Sequence, residues 1–320
     1  MMRAHSNRRP VRMRIAVPDL VSNSYFPAAA ADALGHYRAE GVDVSVVHVS
    51  PVESCVAALR DGAVDFIGAS AHAPLLAFPE WRGVKLICAQ SQGMYWFLVM
   101  RHALRLARGE LEGIKGCRIA AVPFAAAALR RVLAAAGIDA RQDRIDIVVP
   151  ESAKRPGVNF GVAAAEALAK GEIDGFFANG MGAEIAVTRG TGDIVLDIRR
   201  GDGPAECFNY TMPVVATTDR LIAANPQAAA AVVRAITRTQ RQLRTDAEAA
   251  ARAGAQLFPP YEAGLIPAVV ARDLPFYTPA ISFSFVAAMT SFAWSIGLSQ
   301  TAPVSYQNVV ATQFAHLWDA

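Results

Sequence analysis

The chain has 320 residues, 53% of them hydrophobic and 18% charged, with a formal net charge of +3. That length and apolar content support two domains with sizeable cores, and the near-neutral, interspersed charge excludes an extended nucleic-acid surface. Cys55, Cys88, Cys117 and Cys207 are widely spaced without a Cys-x-x-Cys pair, which gives neither a disulfide framework nor a zinc site.

In chain order, "MMRAHSNRRPVRMRIAVPDL" starts basic and contains Arg8-Arg9, but has no apolar signal core before a first strand near Met13. The expected compartment is the periplasm if an export signal lies outside this sequence, and otherwise the cytoplasm. The strand-like runs "MRIAV", "VDVSVVHV", "VDFIGA" and "VKLICAQ" then alternate with Ala/Leu-rich helical stretches, as do "CRIAAV", "RIDIVV", "EIDGFFA" and "DIVLDI" further on. This alternation predicts an α/β protein with mostly parallel sheets covered by helices on both faces.

An internal repeat gives the number of sheets. "ALRDGAVDF" (58–66) and "ALAKGEIDG" (167–175) share the frame Ala-Leu-x-x-Gly-x-Val/Ile-Asp, and "AEGVDV" (39–44) matches "AAGIDA" (135–140). Each frame ends a helix on a glycine suited to the left-handed position and starts a buried strand. Two lobes of like build follow, with 13–102 plus 214–320 expected in lobe one and 103–213 in lobe two. "NYTMPVVATTDRLIAANP" reads as a strand returning to lobe one and a helix capped at Asn225-Pro226. The Ala/Arg-rich stretch 227–256 has helical spacing, and the remaining C-terminal helices are expected to pack on lobe one. "FVAAMTSFAW" (285–294) is too short to span a bilayer and reads as a core helix, so no membrane insertion is expected.

In such sheets ligands sit at the carboxyl ends of the strands, where helix N-termini converge. The turns there supply Asp19, Ser22, Asn23, Ser24, Tyr25, Ser50, Ser70, His72, Gln90 and Tyr95 from lobe one, and Phe124, Ala125, Asn179, Gly180 and Glu184 from lobe two. Where a dinucleotide site carries glycines, Ser22-Asn23-Ser24-Tyr25-Phe26 offers hydroxyls, an amide and an aromatic wall, which suits a compact ligand. Helix N-termini near Pro27, Ala71, Phe124 and Gly180 would each favour an anionic group by roughly 0.3–1 kcal/mol.

Structural roles compete for these residues. Ser50, Ser70 and Asn179 also suit helix capping. His72 also suits a satisfied core position, and Trp96 suits packing within "YWFLVM". Asp19 suits an ammonium, the orientation of Ser22 or the turn amides, and Glu184 suits solvent better than the cleft. No Ser/His/Asp spacing, paired carboxylates, His-Glu-x-x-His or P-loop is present, so no catalytic residue, metal site or cofactor is expected.

The segments "YFPAAAADALGHYRAEGVDVSVV", "AALRDGAVDFIGAS", "LEGIKGCRIAAVP", "LAAAGID", "ALAKGEIDGFFA" and "NPQAAAAVVRAITRTQRQLRTDAEAAAR" cover nearly the whole chain. Their order resembles the periplasmic type 2 substrate-binding proteins of the nitrate/sulfonate/taurine and thiamine-pyrimidine-precursor group of ABC importers. The resemblance implies two mixed, mostly parallel sheets flanked by helices, joined by two crossovers and closing on a small-molecule ligand, with an importer permease as partner. By position it implies ligand contacts at Ser24, Tyr25, Ser70, His72, Phe124, Ala125 and Asn179. "PESAKRPGVNFG" (150–161) is longer and more basic than the family usually carries there.

The same fold serves soluble enzymes, which leaves a cytoplasmic lyase or hydrolase of a small aromatic acid as the alternative. The aromatic-sulfinate desulfinase it resembles carries a nucleophilic cysteine where this chain has Ser24, and a serine lacks the low-pKa thiolate. Polar and aromatic turns without an Arg/Lys cluster point to an aromatic or heteroaromatic carboxylate or sulfonate, or a neutral heterocycle.

Overall fold

A computed structural model describes residues 12–19, 23–155 and 157–319; Arg8-Arg9 and Ser22 lie outside the described residues. The first half runs β1 (Arg12–Val17), α1 (Phe26–Ala33), α2 (His36–Ala39), β2 (Asp43–His48), α3 (Val52–Arg60), β3 (Phe66–Ser70) and β4 (Val84–Ala89). The second runs β5 (Phe97–Arg101), β6 (Arg118–Ala120), α4 (Pro123–Ala135), β7 (Asp146–Val148), α5 (Phe160–Ala169), β8 (Gly175–Ala178), α6 (Gly180–Thr188) and β9 (Gly192–Asp197). The chain then returns through β10 (Pro213–Thr218) to α7 (Asp219–Ala224), α8 (Pro226–Thr245), α9 (Ala247–Leu257), α10 (Pro260–Asp273), α11 (Phe283–Ser295) and α12 (Tyr306–Val309).

Two five-stranded sheets result, ordered β2-β1-β3-β10-β4 and β7-β6-β8-β5-β9. The orders are equivalent. In each, three parallel strands are followed by an antiparallel strand that enters from the other half of the chain. The strand Phe97–Arg101, expected with lobe one, therefore lies in the second sheet. Its slot between β8 and β9 buries Phe97, Leu98, Val99 and Met100 completely, which a solvent-facing edge would not.

The internal repeat is a backbone device. Gly62 and Gly171 both take φ of +73°, in the left-handed region where a Cβ is costly. Three residues on, Asp65 accepts the backbone N–H of Arg14 at 2.7 Å, and Asp174 accepts that of Arg118 at 2.9 Å. The repeated Gly and Asp thus end one helix and set the register of the next strand against β1 or β6.

Helices cover both faces of the first sheet. Ala16, Ile67, Leu86 and Val214 pack with α3 and α11, and Ile15, Phe66, Ile87 and Val215 pack under α8. The stretch 227–256 is not one helix: it breaks at Asp246, whose carboxylate accepts the N–H groups of Glu248 and Ala249 and caps α9. Nor do all C-terminal helices pack on lobe one alone. Ala249, Phe258 and Ile266 of the α9–α10 segment join one core with Phe26 and Ala30 of α1 and Met181 and Ile185 of α6, because α6 exposes an apolar face that needs cover. Among the described residues no helix is long and apolar enough to cross a membrane.

A close backbone approach fixes α5 against α6: a Cβ on Gly182 would lie 2.6 Å from the Gly161 carbonyl oxygen. Gly182→Ala should push the helices apart at a cost of about 1–3 kcal/mol. Gly264→Ala, on α10 with open space around it, should instead stabilise by roughly 0.5–1 kcal/mol. Urea midpoints moving in the same direction for both variants would refute this packing.

Candidate functional site

The two sheets present the turns at their strand ends to one another. After β1, the turn Asn23–Tyr25 is a single 3-10 turn whose three residues are all buried, and Pro27 stands in the first turn of α1, where its missing N–H costs nothing. The Tyr25 hydroxyl lies 2.9 Å from that of Tyr95, which lies 2.5 Å from Ser70 Oγ. Three lobe-one turns are thereby joined in one hydroxyl chain. Burial pushes Tyr95 up to about 12 and Tyr25 well above the usual phenol value, so both remain neutral donors. Ser70 is therefore not a helix cap, and the segment after it, Ala73–Leu76, is a 3-10 turn rather than the start of an α-helix.

His72 is fully buried. Its Nδ1 lies 2.9 Å from Thr211 Oγ1, and desolvation drops the ring to about 3, leaving a neutral imidazole at working pH. Nε2 has no hydrogen-bond partner. Phe124, in the first turn of α4 on lobe two, stacks on this ring at 4.5 Å with 4° between planes. Phe292 of α11 meets it edge-on at 5.2 Å, and Trp96 at 6.4 Å. The stack of His72 on Phe124 crosses from one lobe to the other.

A second contact crosses beside it. Asp19, just past β1, accepts a bond from Asn159 Nδ2 on one oxygen and from Asn179 Nδ2, at 2.6 Å, on the other. Both asparagines cap lobe-two helices: Asn159 Oδ1 accepts the N–H of Val162 at 2.9 Å, and Asn179 Oδ1 those of Met181 and Gly182 at 3.2 and 3.4 Å.

A charged layer lies at the base of the site. Asn23 Nδ2 donates to Asp273, and Asp273 pairs with Arg199 at 2.6 Å, with the Arg199 and Asp273 side chains both 1% exposed. Arg272 pairs with Glu184 at 3.0 Å and donates to the Gly180 carbonyl at 3.3 Å. Glu184 therefore faces this layer, against the expectation of solvent. Gly180 allows the close approach: a Cβ there would meet Arg272 and Asn23.

The remaining expected residues divide. Ser24 is buried in the Asn23–Tyr25 turn, and Ala125 is buried in the first turn of α4 within the lobe-two core. Ser50 is exposed just past edge strand β2, and among the described residues no side-chain bond joins it to these contacts. Gln90 is buried with its amide turned to lobe-one backbone, accepting from Ala28 N and donating to the Val214 carbonyl. Asn159, Thr211, Phe292, Arg199 and Asp273 belong to the site although sequence reading did not select them. Only Asn159 carried a local signal, as a cap residue opening the helical run "FGVAAAEALA".

An open surface pocket of about 370 Å³ lies between α4, α11 and the loop after it, lined by Arg131, Ser291, Trp294, Ser295, Ala302 and Pro303, none of them among the site residues above. Among the described residues no group of His, Cys, Asp and Glu is arranged to hold a metal ion.

No curated protein matches this chain. Several solved structures share its fold. The alkanesulfonate-binding protein SsuA of Xanthomonas axonopodis pv. citri, bound to MOPS, is 19% identical with a TM-score of 0.68, over 94% of this chain and 99% of that one. The periplasmic nitrate-binding protein NrtA of Synechocystis PCC 6803 is 13% identical with a TM-score of 0.67, over 97% and 88%. A mutant of DszB in complex with biphenyl-2-sulfinic acid is 15% identical with a TM-score of 0.64, over 95% and 97%. The two-lobed architecture is that of periplasmic binding proteins, and the sequence itself matches a family description over residues 23–250, more than half its length: the chain belongs to the NMT1/THI5-like family.

Proposed function

We propose that this protein is a solute-binding protein that captures a small organic ligand by closing its two lobes, and that it delivers the ligand to an ABC-importer permease from the periplasm. The observation that carries this reading is the pair of contacts crossing between the lobes at the strand ends, Phe124 on His72 and Asp19 on Asn159 and Asn179. Groups so placed contribute to closure only when the lobes meet, and a ligand between them shifts the open–closed equilibrium by what it binds better in the closed form. The sulfonate- and nitrate-binding proteins that share the fold support the same use.

The enzyme reading has less support. His72 at about 3 is a weak base at neutral pH. The four cysteines are buried, and burial pushes Cys55 up to about 12 and Cys207 up to about 11. None of them stands at Ser24, where a desulfinase-like thiolate would act.

Native mass spectrometry of freshly purified protein should reveal a retained small molecule that is returned unchanged after incubation; its chemical conversion would overturn the reading. Phe124→Ala should weaken that ligand by about 0.5–1.5 kcal/mol through loss of the aromatic contact. Small-angle scattering of the liganded variant should also show a more open particle. Equal affinity and equal compaction in variant and wild type would place the ligand elsewhere.

A further inference from the structure

The charge of the ligand is set by the group that already occupies the donors of lobe two. Asn159 and Asn179 are oriented without ambiguity: each Oδ1 must face the helix N–H groups that it caps, so each Nδ2 must point away, toward lobe one. The backbone contact of Gly161 with Gly182 brings the two caps together, since a Cβ on Gly161 would lie 3.0 Å from Asn179 Oδ1 and 3.4 Å from Asn159 Oδ1. The result is a two-donor clamp at the paired N-termini of α5 and α6, with one N–H for each oxygen of a planar oxyanion. Its occupant is the carboxylate of Asp19 from the opposite lobe. In the charged layer, Arg199 pairs with Asp273 and Arg272 with Glu184.

We propose that Asp19 is a specificity-determining residue that closes the Asn159–Asn179 clamp to oxyanions, so that the ligand is neutral or cationic where it meets the strand β1 end. This rests on the solute-binding reading and narrows its ligand class. An oxyanion seated on the clamp in the open form would meet the Asp19 carboxylate as the lobes approach, so its binding would oppose closure. A neutral ligand, or one offering an N–H or O–H, would add a donor to the same carboxylate and favour closure. Two proteins sharing the fold bind nitrate or MOPS; this chain should not take such ligands through the clamp.

The test compares full-length wild type with Asp19→Ala, titrated with sodium nitrate and sodium acetate against sodium chloride at constant ionic strength. Thermal unfolding and tryptophan fluorescence are the readouts. Wild type should show no saturable response beyond chloride. Asp19→Ala, with a carboxylate-sized space left at the clamp, should bind nitrate or acetate saturably and at least tenfold more tightly than wild type. The gain should vanish in Asp19→Ala/Asn159→Ser, where the shorter serine keeps the helix cap but lacks the Nδ2 amide that reaches across to lobe one. Wild type binding either oxyanion as tightly as the variant, or no gain in Asp19→Ala, would overturn the proposal. Should circular dichroism show that Asp19→Ala does not fold, Asp19→Ser, which also vacates most of the carboxylate position, carries the same comparison, with a gain over wild type expected and equality with it overturning the proposal. The measurement reads the clamp directly, without the natural ligand. A retained molecule that is chemically converted would thus sink the solute-binding reading while leaving the oxyanion comparison intact.

Discussion

Asp273→Ala should destabilise the fold by about 3 kcal/mol, because it removes the short partner of the buried Arg199 guanidinium and leaves it only the Asp197 carboxylate at 4.0 Å and Ser91 Oγ at 3.4 Å. That is a large share of the roughly 5–15 kcal/mol that holds a typical domain together. Both side chains are 1% exposed and 2.6 Å apart, and Arg199 is further enclosed by the rings of Phe276 at 4.7 Å and Phe97 at 5.5 Å. The same substitution removes the acceptor for Asn23 at the base of the candidate site. Arg199 follows β9 on the crossover and Asp273 ends α10, so the pair ties the junction of the lobes to the first cleft turn. The double variant Arg199→Met/Asp273→Leu should lose less than either single change, since a packed apolar pair carries no desolvated charge. Urea unfolding decides between these outcomes. A loss below about 1 kcal/mol in Asp273→Ala would mean that Asp197 or water takes over the remaining charge.

Acid should weaken the protein through His72. The ring is held at about 3 in the fold, against an ordinary value of 6.5. Between those values the unfolded chain binds a proton that the folded chain refuses, so stability rises with pH across this window and falls on acidification from 6.5 toward 3. The slope from this one group approaches about 1.4 kcal/mol per pH unit. His36, also lowered by burial, adds a contribution of the same sign. His72→Phe keeps an aromatic ring against Phe124 and removes the titration. Its unfolding midpoint should therefore decline less steeply than that of wild type between pH values of roughly 6 and 4. Parallel acid profiles for the two proteins would show that His72 protonates freely in the folded state.

How much of this was legible in advance varies from element to element. The two-lobed α/β architecture was, because the frame around Gly62 and Asp65 recurs around Gly171 and Asp174 and acts through local backbone geometry. The strand Phe97–Arg101 was misplaced, because an apolar run announces a strand without announcing which sheet it enters. Ser50 and Gln90 were selected by their place at strand ends, yet one points to solvent and the other braces lobe-one backbone. Both share the turn position that put Tyr95 and Ser70 into the hydroxyl chain.

Sequence by itself determined the paired lobes and the ring of polar and aromatic turns at the sheet ends, because hydrophobic periodicity and helix-ending glycines act over a few neighbouring residues. Tertiary structure alone decided the partners: Asp19 with Asn159 and Asn179, 140 and 160 residues away, His72 with Thr211, 139 residues away, and Arg199 with Asp273, 74 residues away. Such pairings depend on the angle at which two separately folded sheets meet, and no local pattern in the chain encodes that angle.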